Sequence, residues 1–228
     1  MSYYEDVYLQ RVNRNGTSRQ ERILNTKIQN FENFLPKSMY KVDFSYNYQN
    51  YIGSLQPAKG DEKDIVSYML TSKTVDIATG SILDITTSTG TNQKWLVTFK
   101  DHNDTYGYNK YKVYLLDRIL TWYDKDKKVH TSYVNVASSK DSSVKDIFKN
   151  IGGGSAYREA QNYVNLIMKF DSNIQKEYYC LLNESPRAFV VSGFDSETVP
   201  GVQYLTIDIT LVRDKDSQTA TPSGFWGS

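Results

Sequence analysis

The chain is poor in the residues that most enzyme and metal chemistry requires. Among 228 residues there is one cysteine, Cys180, and there are two histidines, His102 and His130. A lone cysteine closes no internal disulfide, so a disulfide-framed secreted module is excluded and a reducing place of synthesis fits. In EYYCLL it reads as a small apolar core residue rather than a reactive thiol. Two scattered histidines and one cysteine cannot complete a structural zinc site. Charge of one sign is lacking too: 27 basic residues balance 26 acidic ones, leaving a formal net charge of +1. No dense Lys/Arg block stands out, which argues against a direct electrostatic grip on nucleic acid. No apolar run approaches the ~20 residues of a membrane span. The opening MSYYEDVYLQR is acidic and aromatic, without the basic and apolar regions of a signal peptide.

Catalytic signatures are equally scarce. There is no G-x-S-x-G elbow for a nucleophilic serine, and His102 and His130 lie in unrelated contexts. Ile151–Ala156 (IGGGSA) lacks the Lys-Ser/Thr of a phosphate loop and the spacing of a dinucleotide fingerprint, and reads as a hinge. The acids Asp61, Glu62, Asp64, Asp124 and Asp126 lack the calcium-loop frame and read as charged turns. No carboxylate pair is singled out for glycoside chemistry. Asn15-Gly16-Thr17 and Asn103-Asp104-Thr105 match the glycosylation pattern, and without a secretion signal they read as turns. The expectation is a protein that is not an enzyme, with no cofactor, no metal and no catalytic residue.

What the chain does have is tyrosine: 19, against 9 Phe and 3 Trp. Tyrosine suits half-buried strands and contact surfaces, because its ring is apolar and its hydroxyl tolerates water. The stretch Thr74–Ala137 carries several short strand-like runs broken by turn residues, the spacing of a small antiparallel barrel or sandwich.

Ahead of it, residues 1–17 read as an arm and residues 18–35 as a helix. Ser18 and Glu21 form a capping box, and Ile23, Leu24, Ile28, Phe31, Phe34 and Leu35 recur at helical spacing. Pro36 stops the helix. Met39–Tyr51 alternates apolar and polar residues and reads as one strand; Leu55–Asp64 reads as a loop. Ile65–Leu70, Thr74–Ile77, Ser81–Thr86 and Lys94–Lys100 read as strands, with Trp95, Val97 and Phe99 on one face. Lys110–Tyr123 reads as one long strand that pairs back with Val129–Ala137. Ser138–Ser143 is the best linker, followed by a short helical turn over 144–151. Four further strands follow: Tyr163–Phe170, Glu177–Asn183, Ala188–Ser192 and Val202–Val212.

The expected fold is therefore mainly β, an antiparallel barrel or sandwich with one N-terminal α-helix and a second β-rich region in the C-terminal third. The expected domains are an arm (1–17), a helix plus small barrel (18–137), a linker (138–156), a second β-rich region (157–212) and a loose tail (213–228). Phe225 and Trp226 in that tail could dock on a partner.

The order of arm, capped helix and compact barrel, with Trp95 in KWLVTF, the aromatic run YGYNKYKVYLL and Trp122 in ILTWYDKDKKVHTSYV, resembles the head-completion proteins of tailed bacteriophages. These are the stopper, or head-closure, proteins of the neck. The likeness covers about residues 1–137. It departs from the family in length, since residues 144–212 look like an added β domain; stopper, adaptor and tail terminator all remain open.

The resemblance implies a structural virion protein made in the bacterial cytoplasm. It implies a homo-oligomeric ring of twelve or six copies contacting portal, adaptor and tail proteins. Packaged DNA would pass through the lumen without sequence-specific binding, and no membrane is implied. Candidate subunit contacts are Tyr3, Tyr4 and Tyr8 on the arm, Phe31 and Phe34 on the helix, and Tyr106 and Tyr108 in the loop after the Trp95 strand. Other readings are another virion subunit (tail terminator, tail or baseplate) or a ligand-binding barrel with a pocket lined by Tyr and Trp.

Overall fold

The helix forms where its capping box stands. In the computed structural model, α1 spans Arg19–Phe34, with Ser18 as N-cap. The Glu21 amide donates to Ser18 Oγ (3.1 Å), and the Ser18 amide donates back to Glu21 Oε2 (3.2 Å). Leu35–Lys37 continue as one 3-10 turn around Pro36. The described residues are 4, 7, 8, 16–58, 66–87, 90–124, 126, 128–137, 163–183 and 188–209. The linker over 138–156, the helical turn over 144–151, the glycine run and the tail lie outside them.

Apart from the helical residues Tyr4, Val7 and Tyr8, the remaining regular structure among the described residues is antiparallel sheet closed into two six-stranded barrels. The first contains β1 (Lys41–Tyr46), β2 (Gln49–Pro57), β3 (Val66–Thr71), β4 (Ile82–Thr86), β5 (Asn92–Asp101) and β6 (Asn109–Leu116), closing in the order β1-β2-β3-β6-β5-β4. The second contains β7 (Arg118–Tyr123), β8 (Val129–Val136), β9 (Tyr163–Lys169), β10 (Tyr179–Leu182), β11 (Ala188–Asp195) and β12 (Val202–Ile209), in the order β10-β11-β12-β9-β8-β7. The mainly β class, the single N-terminal helix and the second β unit in the C-terminal half follow the sequence expectation. Closure also leaves no sheet edge open in either barrel.

Several boundaries differ from that expectation. Met39–Tyr51 is not one strand. It is β1 and the start of β2, joined by a two-residue turn at Asn47 and Tyr48 (φ 50° and 63°). Such a turn needs positive φ at both residues; no glycine marks it, so alternation runs through it unbroken. Thr74–Ile77 is not a strand but a plug. Asn109 Nδ2 donates to the Val75 carbonyl (2.9 Å), Tyr111 Oη donates to the same oxygen, and the Ile77 amide donates to Tyr111 Oη (3.1 Å). Ile77 is thereby buried completely in the mouth of the first barrel.

On β5 the face shared by Trp95 and Val97 excludes Phe99. A bulge between Val97 and Phe99 shifts the register, turning Phe99 outward and Lys100 toward the plug, where it pairs with Asp76 at 2.6 Å. The largest difference is at Asp117. Lys110–Tyr123 is two strands, β6 and β7, and the single residue between them carries the chain from one barrel to the other. The 18–137 unit is thus divided, with β7 and β8 belonging to the second barrel.

Three apolar sets hold this arrangement. The first barrel is filled by Phe44, Met69, Leu83, Ile85, Trp95, Val97, Tyr111 and Val113 around the plug residue Ile77. The second is filled by Leu120, Trp122, Val134, Leu166, Met168, Cys180, Phe189, Val191, Leu205 and Ile207. Between the barrels, Ala58, Val66, Leu96, Tyr114 and Leu116 meet Ile167, Val202 and Tyr204. Asn135 adds a hydrogen bond across this junction, Nδ2 donating to the Leu115 carbonyl at 2.7 Å. Gly80 and Gly201 also touch there. A Cβ on Gly80 would stand 2.4 Å from the Gly201 carbonyl oxygen, and both glycines have positive φ.

Candidate functional site

Two strands of the first barrel present their outer faces to two different neighbours. On β3, Leu70 lies under the helix, against Phe31 and Leu35, while Val66 and Tyr68 face the second barrel. On β6, Tyr114 and Leu116 belong to the junction, and Lys110 and Lys112 stand between it and the helix. The helix can approach because Gly107 has no side chain: a Cβ there would lie 2.4 Å from the Lys27 carbonyl carbon. Lys27 Nζ donates to the Thr105 carbonyl (3.0 Å), and Ser72 Oγ donates to Glu32 Oε1 (3.0 Å).

Where the two barrels diverge, a cleft of about 590 Å³ remains. One wall carries Tyr68, Thr98, Phe99, Asp101, Lys110, Lys112 and Tyr114, and the other Thr198, Val199 and Tyr204. The bulge on β5 is what turns Phe99 into it. Lys110 Nζ lies 4.4 Å from the centre of the Tyr68 ring, and Lys112 Nζ lies 5.2 Å from that of Tyr114. Such cation–π contacts hold both ammonium groups along the aromatic wall. The opposite lip is set by Asp195, whose Oδ1 accepts from the amides of Glu197 (2.8 Å) and Thr198 (3.0 Å). Burial pushes this carboxyl up, but the hydrogen bonds from Thr198 and Glu197 outweigh it and hold Asp195 below the usual carboxylate range. The cleft is apolar and aromatic, and its two ammonium groups outnumber the one carboxylate, Asp101, that stands opposite Lys110, so it suits aromatic groups that bear negative charge.

The residues expected as subunit contacts are not gathered there. Tyr3 lies outside the described residues. Tyr4 and Tyr8 are helical and exposed, at 81% and 66%. Phe34 is exposed at the end of α1. Phe31 is buried against Leu35, Leu70 and Tyr108, with its ring centroid 5.0 Å from that of Tyr108. Tyr106 stacks on Tyr108 at 5.2 Å. Phe31 and Tyr108 therefore join the helix to its own barrel; spacing along a helix does not say which side meets a neighbour. The cleft residues Tyr68, Phe99, Lys110, Lys112 and Tyr204 went unmarked, since they come from strands far apart in sequence.

The groups with catalytic potential are engaged elsewhere. His130 Nε2 lies 2.7 Å from Asp124 Oδ2, and the His130 ring stacks on Trp122. Asp124 Oδ1 accepts from the amides of Asp126 and Lys128 (both 2.9 Å), so the pair closes the β7–β8 turn. The hydrogen bond from His130 holds the Asp124 carboxyl below its ordinary range. Cys180 sits inside the second barrel, and burial pushes its thiol up to about 12. His102 lies exposed in the β5–β6 loop, where Asn103 Oδ1 accepts from the Thr105 amide in a plain turn. A second hollow of about 470 Å³ holds Asp43 and Asp84. No group of three metal-ligating side chains occurs among the described residues.

Comparison with known proteins adds little. No known family matches the sequence, and no curated protein matches it. Among solved structures, MrkH of K. pneumonia in its apo state overlays 85% of this chain and 87% of its own, at 10% identity and a TM-score of 0.25. The MrkH–c-di-GMP complex overlays 84% and 88%, at 11% identity and a TM-score of 0.24. The Bacillus subtilis inhibitor of motility, MotI/DgrA, overlays 78% and 90%, at 7% identity and a TM-score of 0.20. Likeness at this level carries no argument about what this chain binds.

Proposed function

We propose that this chain is a structural subunit of a tailed-phage neck, a ring protein that joins the portal or adaptor to the tail and performs no chemistry. The observation that carries the reading is the set of large apolar side chains left in solvent at the helix end and the first hairpin. Phe34, Met39 and Tyr40 crowd the α1–β1 connection, and Tyr48 stands wholly exposed at the β1–β2 tip. Aromatic residues on arms and tips are typical anchors of subunit interfaces. Two closed barrels fused through one residue also make a stiff block, suited to a wall that must keep its shape. The resemblance in the arm, helix and barrel order supplies the specific position, with the chain made in the host cytoplasm and incorporated into the virion.

Electron microscopy of purified virions with an antibody against this chain tests the proposal. Labelling between head and tail is expected. Virions in which the chain is absent from the neck overturn it; labelling of the tail or baseplate assigns the chain to another virion subunit. The inter-barrel cleft favours a second reading, a small-molecule-binding module. That reading requires a monomer in solution whose melting temperature rises with an anionic aromatic ligand.

A further inference from the structure

The strand register builds a slot between two aromatic rings in the cleft. Across the outer face of the first barrel, Tyr68 on β3, Lys112 on β6 and Phe99 on β5 stand side by side on one rung. Neighbouring strands lie about 4.8 Å apart, so Tyr68 and Phe99 are roughly 10 Å apart at the backbone. A planar ring stacked between two others needs roughly 7–8 Å, so one fits. The Lys112 side chain leans off the rung toward Tyr114, its ammonium 5.2 Å from that ring's centre. Tyr114 stands on the next rung toward the junction, and Val199 and Tyr204 of the second barrel face it. The slot is therefore apolar at its inner end. On the rung away from the junction stand Lys110 and Asp101, at the mouth.

Two observations mark this slot as a site. The β5 bulge turns Phe99 out onto the rung, where it stays 57% exposed; bulges that re-aim a side chain in this way are over-represented beside functional sites. Lys110 is the second. Among the described residues no carboxylate pairs with it. Its cross-strand neighbour Asp101 accepts instead from the Asn103 amide (3.1 Å). The Lys110 ammonium lies 4.4 Å from the centre of the Tyr68 ring, a contact that holds the charge at the mouth without neutralising it. The two threonine hydroxyls of the cleft are engaged, Thr98 with the Lys112 carbonyl and Thr198 with Asp195, so the grip left to the site is stacking and charge. The geometry points to this slot as the binding site of a small planar aromatic anion, its ring inward between Tyr68 and Phe99 and its anionic group outward on Lys110. The inference rests on the reading of the cleft as a ligand site, and adds the pose, the anchoring cation and the rule of selection. The cleft's volume of about 590 Å³ lies within the roughly 300–1,000 Å³ of small-molecule sites.

The test titrates the full chain, by calorimetry, with adenosine monophosphate and with naphthoate, two planar anions that carry their charge as phosphate and as carboxylate. Adenosine and naphthamide are their uncharged counterparts. At least one anion should bind, roughly tenfold more tightly than its counterpart, as one charged hydrogen bond provides. Lys110→Gln should abolish that preference and leave the affinity of the uncharged ring as it was. Phe99→Ala should weaken ring and anion alike by roughly tenfold, the loss of one stacking partner. Lys94→Gln, which removes an ammonium lying over Tyr133 outside the cleft, should change nothing. Emission from Trp95 and Trp122 checks that each variant remains folded. Binding of one anion alone upholds the inference and assigns the anionic group. Binding that is indifferent to either Lys110→Gln or Phe99→Ala, or that favours the uncharged ring, overturns the pose while the cleft remains a ligand site. No binding of either anion at millimolar concentration removes both. The neck reading is decided separately, by the place of the chain in the virion.

Discussion

Leu166 and Ile167 are neighbours on β9, both fully buried, and they face opposite ways. Leu166 points into the second barrel, and Ile167 points into the junction with the first. Truncating each to alanine separates the two contributions. Complete burial of such a side chain stabilises by about 1.5–3 kcal/mol, and with the cavity left behind the loss is about 2–5 kcal/mol. For Leu166→Ala the surrounding barrel cannot collapse, so the upper half of that range is expected. For Ile167→Ala the barrels can settle by a small shift, so the loss should be about 2–3 kcal/mol.

The fluorescence readout is built in, because Trp95 lies inside the first barrel and Trp122 inside the second. In a Trp226→Phe background, urea unfolding is followed with Trp95 alone (Trp122→Phe) and with Trp122 alone (Trp95→Phe). Leu166→Ala should lower the Trp122 midpoint by roughly 1–2 M urea. Ile167→Ala should lower both midpoints and pull them apart, since the interface that couples the barrels is weakened. If Ile167→Ala costs less than about 0.5 kcal/mol, the range of a neutral surface change, while Leu166→Ala costs the full amount, the barrels do not dock in solution and the argument for a stiff block fails.

Gly107→Ala sets a methyl group against the α1 backbone and should loosen the helix by about 1–3 kcal/mol, the cost of overpacking; hydrogen exchange should quicken over residues 19–34 and not within the barrels. Cys180, with its thiol pushed up to about 12, should resist iodoacetamide at pH 8 in the native protein and react promptly in urea; rapid native labelling would contradict its placement. Acid should weaken the fold through carboxyls that the native structure holds low: Asp76 by its hydrogen bond with Lys100, Asp124 by His130, and Glu21 by the Thr17 hydroxyl. Such groups contribute fully above their unfolded values, near pH 4, and lose the contribution as pH falls through their lower native values. The urea midpoint should therefore hold from pH 7 to about 5 and drop below 4; a midpoint unchanged at pH 3 would refute this.

Much of the local structure was written in order along the chain. The capping box at Ser18 and Glu21 fixes the helix start, and Pro36 fixes its end, because both act within four residues. Most strands follow from period-two alternation and the turn residues between them. The errors fall where one residue breaks a period without a sequence mark. A left-handed Asn47-Tyr48 turn replaced the usual glycine, a bulge after Val97 reversed the side on which Phe99 lies, and Asp117 divided an unbroken apolar run.

The sequence by itself determined that this chain would be mainly β with one capped helix. Only the tertiary structure decided that there are two barrels and that they meet at Asp117. It alone decided that Phe31 turns inward, and that Tyr68, Phe99, Lys110, Lys112 and Tyr204 share a cleft. The physical reason is that alternation records which residues leave water, not what covers them. On β3, β6, β9 and β12 apolar residues lie on both faces, some toward the strand's own barrel interior and others toward the helix or the opposite barrel, and that choice is made by contacts between residues far apart in sequence.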